Sequence, residues 1–158
     1  MKLAVFSDLH GGKEEPIRSA LEKYDYVVFL GDGLMKIRHF EYEYPEKFLF
    51  VRGNCDGYDE TPLRRIIDFD GVRVMLTHGH EERVKYGLMT ILGVAKREEI
   101  NIVLFGHTHR PEVTEIDGIL FVNPGSASAT YGLAGSFAEV TIDKGKYSAE
   151  IQKLSEYC

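Results

Sequence analysis

Five short apolar runs recur along the first two thirds of the chain, and each ends in glycine or in a polar side chain. They are rich in β-branched and aromatic residues and do not alternate with polar ones, which is typical of strands buried on both faces. The runs occupy residues 2–7, 26–30, 48–52, 72–77 and 101–105. We therefore predict five core strands.

Two segments between these runs carry apolar residues at helical spacing. In residues 14–24, Ile17 and Leu21 lie on one face and Pro16 falls in the first turn, a position that suits proline. Residues 82–99 have a comparable stripe and predict a second amphipathic helix. Strand–helix–strand order predicts βαβ units with parallel strand pairs.

The last third of the chain changes to shorter strands that are separated by hairpin signals. Residues 112–116 and 119–123 flank Asp117-Gly118, and residues 136–142 and 147–153 flank a second turn. The chain should thus begin as βαβ units and finish as an antiparallel meander. No repeat or linker divides it, so we predict one domain, 1–158, of α/β class with two packed mixed β-sheets flanked by helices.

Composition narrows the function mainly by exclusion. The 158 residues include 25 acidic and 19 basic side chains, a net charge of −6, which argues against charge-driven binding to duplex nucleic acid or to an anionic membrane. We expect no transmembrane segment and no signal peptide. Cys55 and Cys158 form no disulfide framework, so we expect a cytoplasmic protein. The six histidines are unusual, because five of them fall in tight clusters.

The ends of the predicted strands carry side chains that can bind metal ions. In open α/β sheets the carboxyl ends of the strands form the binding crevice. The donors at these ends are Asp8, His10, Asp32, Asn54, His78, His107 and His109. Seven donors are too many for one tetrahedral zinc ion, and they suit two divalent ions about 3.5–4 Å apart.

The order of these motifs resembles the calcineurin-like metallophosphoesterase superfamily. The matching motifs are Asp8-Leu9-His10, Gly31-Asp32, Gly53-Asn54-Cys55-Asp56, His78-Gly79-His80 and Gly106-His107-Thr108-His109. The short length and the segment Asn123-Pro124-Gly125-Ser126 look most like the small phosphodiesterases of bacteria and archaea. The resemblance implies a four-layer αββα sandwich.

The resemblance also implies how the donors divide between two ions. Asp8, His10 and His109 would hold one ion. Asn54, His78 and His107 would hold the other, and Asp32 would bridge them. Imidazole and carboxylate donors suit Mn, Fe, Co, Ni or Zn, and we favour Mn as the cofactor.

The implied reaction is hydrolysis of a small phosphodiester or nucleotide-like substrate by in-line attack of a metal-bridging hydroxide. Asn54, Asp32 and His80 would be the catalytic residues. His80 would donate a proton, or else be a loop histidine bonded to the backbone. Cys55 stands where many members of the superfamily have histidine, so we expect a preference for good leaving groups and diesters.

A non-catalytic scaffold with the same fold is the alternative. The superfamily includes a retromer subunit that looks like a degenerate phosphoesterase used for protein interaction. Such members tend to lose ligands, whereas this chain has all seven. Catalysis is therefore our preferred interpretation. Homo-oligomerisation is left open by the sequence.

Overall fold

The computed structural model describes residues 1–129 and 134–154, so Cys158 lies outside the described residues. This part of the chain forms ten strands and four α-helices. The strands are β1 (Lys2–Phe6), β2 (Tyr26–Phe29), β3 (Phe48–Phe50), β4 (Arg64–Phe69), β5 (Val72–Thr77), β6 (Ile102–Leu104), β7 (Glu112–Ile116), β8 (Ile119–Asn123), β9 (Ser136–Asp143) and β10 (Lys146–Lys153). The α-helices are α1 (Glu15–Lys23), α2 (Leu34–Ile37), α3 (Phe40–Glu43) and α4 (Met89–Arg97).

The strands form two mixed sheets of five strands each. The order is β10-β9-β1-β2-β3 in the first sheet and β4-β5-β6-β8-β7 in the second. Strands β1, β2 and β3 are parallel to one another, as are β5, β6 and β8. The remaining strands pair antiparallel at the sheet margins. The parallel strands therefore direct their carboxyl ends to one edge of each sheet.

Three apolar clusters define the layers. Leu3 and Val5 of β1 pack with Leu76 of β5 and Leu104 of β6 in a core between the sheets. The residues that alternate with these along the strands face outward, because side chains alternate across a strand. They pack against α1, α2 and α3 on the first sheet and against α4 on the second. This arrangement confirms the predicted α/β class, with two packed mixed sheets flanked by helices.

Two predicted elements differ from the structure. The helix expected over residues 82–99 is a short 3₁₀ helix, Val84–Tyr86, followed by α4, because Gly87 has a positive φ of 112° and interrupts the helix. The final meander is also wrong in its connections. The β7–β8 hairpin belongs to the second sheet, whereas β9 crosses to the first sheet and pairs with β1.

Strand β4 has no counterpart among the predicted elements. Its sequence, RRIIDF, is charged at both ends of the apolar pair, and it lies at the edge of the second sheet beside β5. Edge strands commonly carry charge, which discourages pairing with other chains, so they lack an apolar run. Among the described residues, no helix combines the length and apolar character needed to cross a membrane.

Candidate metal centre

The loops that follow the parallel strands meet at one edge of the sandwich. The loop after β1 bonds to the loop after β2, since the Asp8 N–H donates to the Gly31 carbonyl at 2.9 Å. The Gly106 N–H donates to the His78 carbonyl at 2.9 Å and joins the loops after β6 and β5. These bonds bring donor residues far apart in sequence into one crevice.

Three of the predicted ligands form what we term the outer cluster, Asp8, His10 and His109. One donor atom from each lies within 4.8 Å of the others. The Asp8 Oδ1 atom is 3.2 Å from His109 Nε2 and 3.9 Å from His10 Nε2. The two histidine Nε2 atoms are 3.3 Å apart.

A second group, the inner cluster, consists of Asp32, His78 and His107 and meets the same distance limit. His78 Nε2 lies 3.1 Å from Asp32 Oδ2 and 3.2 Å from His107 Nδ1. The same His78 atom is 3.7 Å from Asp8 Oδ1. The two clusters are therefore adjacent, because carboxylate oxygens of Asp8 and Asp32 both lie within 3.7 Å of His78 Nε2.

The Asp8 carboxylate shows how well the residues fit a cation. Its Oδ2 atom accepts hydrogen bonds from the Ser7 hydroxyl at 2.7 Å and from the His107 N–H at 3.1 Å. Its Oδ1 atom is buried, has no hydrogen-bond partner and faces the histidine Nε2 atoms. A buried carboxylate oxygen without a partner is costly unless a cation or a proton satisfies it. The donor set therefore fits divalent metal ions.

Hydrogen bonds orient His78 for the same role. Its Nδ1 lies 2.8 Å from the Leu30 carbonyl, which can only accept, so Nδ1 carries a proton and Nε2 points into the cluster. Burial alone would lower the pKa of His78, but its hydrogen bond with Asp32 and the nearby Asp8 charge raise it. Burial would raise the pKa of Asp32, yet the His78 interaction and the Cys55 N–H lower it to about 2.

His107 has the opposite protonation tendency. Burial lowers its pKa to about 4, and the positive charges of His78 and Lys85 act in the same direction. A neutral imidazole has a free lone pair for a metal ion, whereas an imidazolium has none. The inner cluster thus combines an ionised Asp32 with a neutral His107.

The backbone is strained at the candidate ligands. Asp8, His10, Asp32, His107 and His109 all have positive φ values, between 46° and 72°. They make up half of the non-glycine residues with positive φ in the described ranges 1–129 and 134–154. This conformation is uncommon for residues with a Cβ atom, and such strain concentrates at functional sites.

Asp56 organises the loops after β2 and β3. Its Oδ2 accepts the N–H groups of Asp32 and Gly53 at 2.8 Å, and its Oδ1 accepts those of Gly33 and Leu34 at 2.9 Å. A carboxylate with two acceptor oxygens can satisfy all four donors. Asp56 therefore positions Asp32 and leaves no oxygen for a metal ion.

The segment after β8 supports the loop that carries His107 and His109. Asn123 is buried, and its amide donates to the Gly106 carbonyl at 3.2 Å and to the Thr108 hydroxyl at 2.9 Å. The Ser126 hydroxyl donates to the Asp8 carbonyl at 2.9 Å. These bonds connect the outer cluster to the second sheet.

Sequence reasoning missed one residue of this network. Ser7 is buried and holds the Asp8 carboxylate, and a side chain on Gly106 would collide with the Ser7 hydroxyl. A single serine at the end of an apolar run has no motif around it. Its role becomes visible only when the loop after β6 is placed against β1.

Two predicted site residues, Asn54 and His80, lie outside the two clusters. Asn54 is exposed, and its amide nitrogen donates to Cys55 Sγ at 3.6 Å, so its role as a ligand stays a prediction. His80 is partly buried with its ring centroid 5.6 Å from that of His78, and its Nδ1 is buried without a partner. Burial, followed by the His78 charge, lowers the pKa of His80.

Comparison with known proteins agrees with this fold and site. The model of the calcineurin-like phosphoesterase superfamily domain matches residues 1–145. The chain is 27% identical over 130 residues to the probable metallophosphoesterase YsnB of Bacillus subtilis (strain 168), covering 80% of this chain and 75% of YsnB. A predicted phosphoesterase from Streptococcus pneumoniae TIGR4 superposes with a TM-score of 0.83 at 29% identity, covering 96% of this chain and 88% of that one.

Two more distant structures share the fold alone. An archaeal phosphodiesterase has a TM-score of 0.72 at 24% identity, with 96% of this chain and all of that chain covered. Vps29 from Entamoeba histolytica, solved with Zn²⁺, has a TM-score of 0.76 at 19% identity, with coverage of 97% and 99%. The chain belongs to the calcineurin-like phosphoesterase superfamily. The family, together with the two His/Asp clusters, supports a metal-dependent phosphoesterase.

Proposed function

We propose that this protein is a phosphodiesterase that holds two divalent ions at the edge of the sandwich and hydrolyses small phosphodiesters. The observation that carries the proposal is the meeting of the outer and inner clusters around the unpartnered Asp8 Oδ1 atom. Asp8 and Asp32 are both buried there, and the groups that face them are the imidazole Nε2 atoms of His78 and His109. Two cations would satisfy these carboxylates.

The proposed roles follow the clusters. Asp8, His10 and His109 would hold one ion, and His78 and His107 would hold the other with Asn54, after a rotation of its exposed amide. Asp32 would be shared by the two sites. When bound, such ions lower the pKa of a water molecule and neutralise the charge of a phosphate. The mixed imidazole and carboxylate donors accept several transition metals, and Mn²⁺ is our preferred ion among them.

The chain itself contributes orientation and proton transfer. Ser7 and the His107 N–H direct Asp8 Oδ1 toward the histidines, and the Leu30 carbonyl fixes the His78 tautomer. His80, whose Nδ1 has no partner, is our candidate proton donor to the leaving group. Replacing it with asparagine should lower kcat about 10²-fold with little change in KM. An unchanged kcat would mean that His80 is a loop histidine without a role in proton transfer.

The preference for diesters and good leaving groups rests on Cys55. Cys55 is exposed beside Asn54, at the position where many members of the family have histidine. Without that histidine, esters with a poor leaving group lose one general acid and depend on His80 alone, and general acid catalysis is worth about 10²–10⁴ in rate. Aryl diesters should therefore react much faster than alkyl monoesters. Equal rates would contradict this part of the proposal.

A scaffold function is the second candidate, because the fold is shared with Vps29. The Vps29 structure with Zn²⁺ means that metal binding by itself does not separate the two functions. Hydrolysis does. The presence of all seven donors favours the enzyme.

The test measures metal content and turnover on the same preparation. Protein loaded with Mn²⁺ should bind two ions per chain and hydrolyse bis(p-nitrophenyl) phosphate. Asp8→Asn should lose nearly all turnover, whereas Asp143→Asn, at the exposed end of β9, should keep it. Two bound ions with no turnover of diester or monoester would favour the scaffold.

A further inference from the structure

A cavity of about 660 Å³ opens directly beside the outer cluster. It lies between the start of α2 and the loop after β3. Its lining includes His10 from the outer cluster and Cys55, together with Met35 and Tyr58. This volume is within the range of pockets that bind small organic molecules. Because His10 belongs to both, a group attached to a phosphate at the metal centre would be within reach of this cavity.

Two large side chains in this cavity are almost completely exposed. Met35 is 89% exposed and Tyr58 is 93% exposed. Isolated apolar residues on a surface need no explanation, but two that line one cavity beside a candidate active site indicate a binding surface. Thioether and aromatic groups both make favourable contacts with planar rings.

Both walls of the cavity are held in place. On one side, Asp56 binds the N–H groups of Gly33 and Leu34, and the Leu34 side chain is buried, so the start of α2 is fixed. On the other side, the Arg52 guanidinium lies 5.5 Å from the centre of the Tyr58 ring. Since Tyr58 is so exposed, this contact orients the ring and still leaves most of it accessible. Because these walls are already ordered, less conformational entropy is lost when a ligand binds.

The charged groups of the lining are mostly engaged with the protein. Asp56 is saturated by backbone N–H groups, and Asp59 pairs with Arg38 and the Thr61 N–H. The Lys36 ammonium donates to the Gly12 carbonyl. The cavity therefore offers a flat aromatic and thioether surface to an uncharged group.

We propose that this cavity binds the nucleobase of a nucleotide-derived phosphoester, with the base against Tyr58 and Met35 and the phosphate at the metal centre. The inference rests on the proposed function, because it places the phosphate at the two ions. Stacking of a base on an aromatic side chain is sequence-tolerant and strong enough to change affinity about tenfold or more. Tyr58 and Met35 are thus specificity-determining residues.

The test compares two ligands that differ only in the base. Binding of AMP and of ribose 5-phosphate to the Mn²⁺-loaded protein is measured by calorimetry, and both ligands are products rather than substrates for a diesterase. AMP should bind about tenfold more tightly than ribose 5-phosphate. In Tyr58→Ala this ratio should fall toward one while the affinity for ribose 5-phosphate is unchanged, and Met35→Ala should reduce it partly.

The controls separate stacking from a general loss of structure. Tyr58→Phe should keep the ratio, as should Tyr42→Ala, which removes a tyrosine that is 81% exposed elsewhere on the surface. Equal affinities in the unmodified protein, or an unchanged ratio in Tyr58→Ala, would overturn the proposal. Hydrolysis of methyl p-nitrophenyl phosphate, which has no base, tests the proposed function separately. If hydrolysis persists without base preference, only the nucleobase site is wrong.

Discussion

The inner and outer clusters use similar residues in different surroundings. His78 and Asp32 of the inner cluster are 0% and 3% exposed, whereas His10 and His109 of the outer cluster are 35% and 28% exposed. Buried charged groups depend on their partners, because removing one leaves the other desolvated and unpaired. Exposed donors can turn to water instead. The inner cluster should therefore couple metal binding to stability, whereas the two partly exposed histidines of the outer cluster should affect metal binding alone.

The largest effect is expected from His78→Ala. This change removes the partner of Asp32 and one neighbour of Asp8 in the buried interior. The loss of a buried charged partner costs about 3–5 kcal/mol, so the metal-free variant should unfold at a clearly lower temperature than the unmodified protein. Thermal denaturation in a chelator measures this effect. His39→Ala, at a half-exposed histidine paired with Glu14, is the matched control and should change little.

If metal-free His78→Ala melts at the temperature of the unmodified protein, the inner cluster is not coupled to stability and the contrast between the clusters fails. Hydrolysis should also fall to background in this variant. Hydrolysis reports on the bound ions, whereas the melting temperature of the metal-free protein reports on the stability of the fold.

His109→Ala should weaken metal binding without lowering stability. Its side chain is partly exposed, and it contacts Asp8 and His10 only at the rim of the centre. We expect one of two Mn²⁺ sites to lose more than the roughly 10–100-fold in affinity that the loss of a supporting hydrogen bond costs. Mn²⁺ titration by calorimetry should resolve one weakened and one normal site. Equal weakening of both sites would mean that the clusters do not act separately.

Asp56→Asn tests the support of the inner cluster without touching a donor. The asparagine amide keeps one acceptor oxygen and turns an NH₂ group toward one pair of N–H donors, so two of four bonds are lost. At about 1–3 kcal/mol for each of the two unpaired groups, the free energy of unfolding should fall by about 2–6 kcal/mol. Urea denaturation of Asp56→Asn and of the exposed control Asp143→Asn provides the measurement. An equal midpoint in both would contradict the positioning role.

The smallest effect concerns a pair remote from both clusters. The hydrogen bond from Tyr24 lowers the pKa of Glu139, aided by Lys2. A carboxyl group with a lowered pKa stabilises the fold above its unfolded pKa, and this contribution is lost as the pH falls through the folded value. Unfolding between pH 5 and 3 should therefore be slightly less acid-sensitive in Glu139→Gln, by under about 1 kcal/mol because solvent screens the pair. The difference should be the same with and without Mn²⁺.

The core strands were predictable because strands that are buried on both faces consist of continuous apolar runs. Residues 72–77 form β5 as predicted, and the other core runs are each trimmed by one or two residues at their ends. Strand β4 was not predicted, because an edge strand needs no apolar run. The long helix over 82–99 was wrong because apolar spacing continues through Gly87, where the backbone turns away.

The sequence by itself determined which chemical groups follow the core strands. It also determined that these groups lie near one another, because parallel strands direct their carboxyl ends to a common edge. Only the tertiary structure decided which atoms meet. Asp8 Oδ1 faces the histidines because Ser7 and the His107 N–H, 99 residues away, hold the other oxygen. Such directions depend on how two sheets pack and on hydrogen bonds between distant loops. A linear pattern identifies residue types and elements, whereas the direction of a carboxylate oxygen depends on the packed structure.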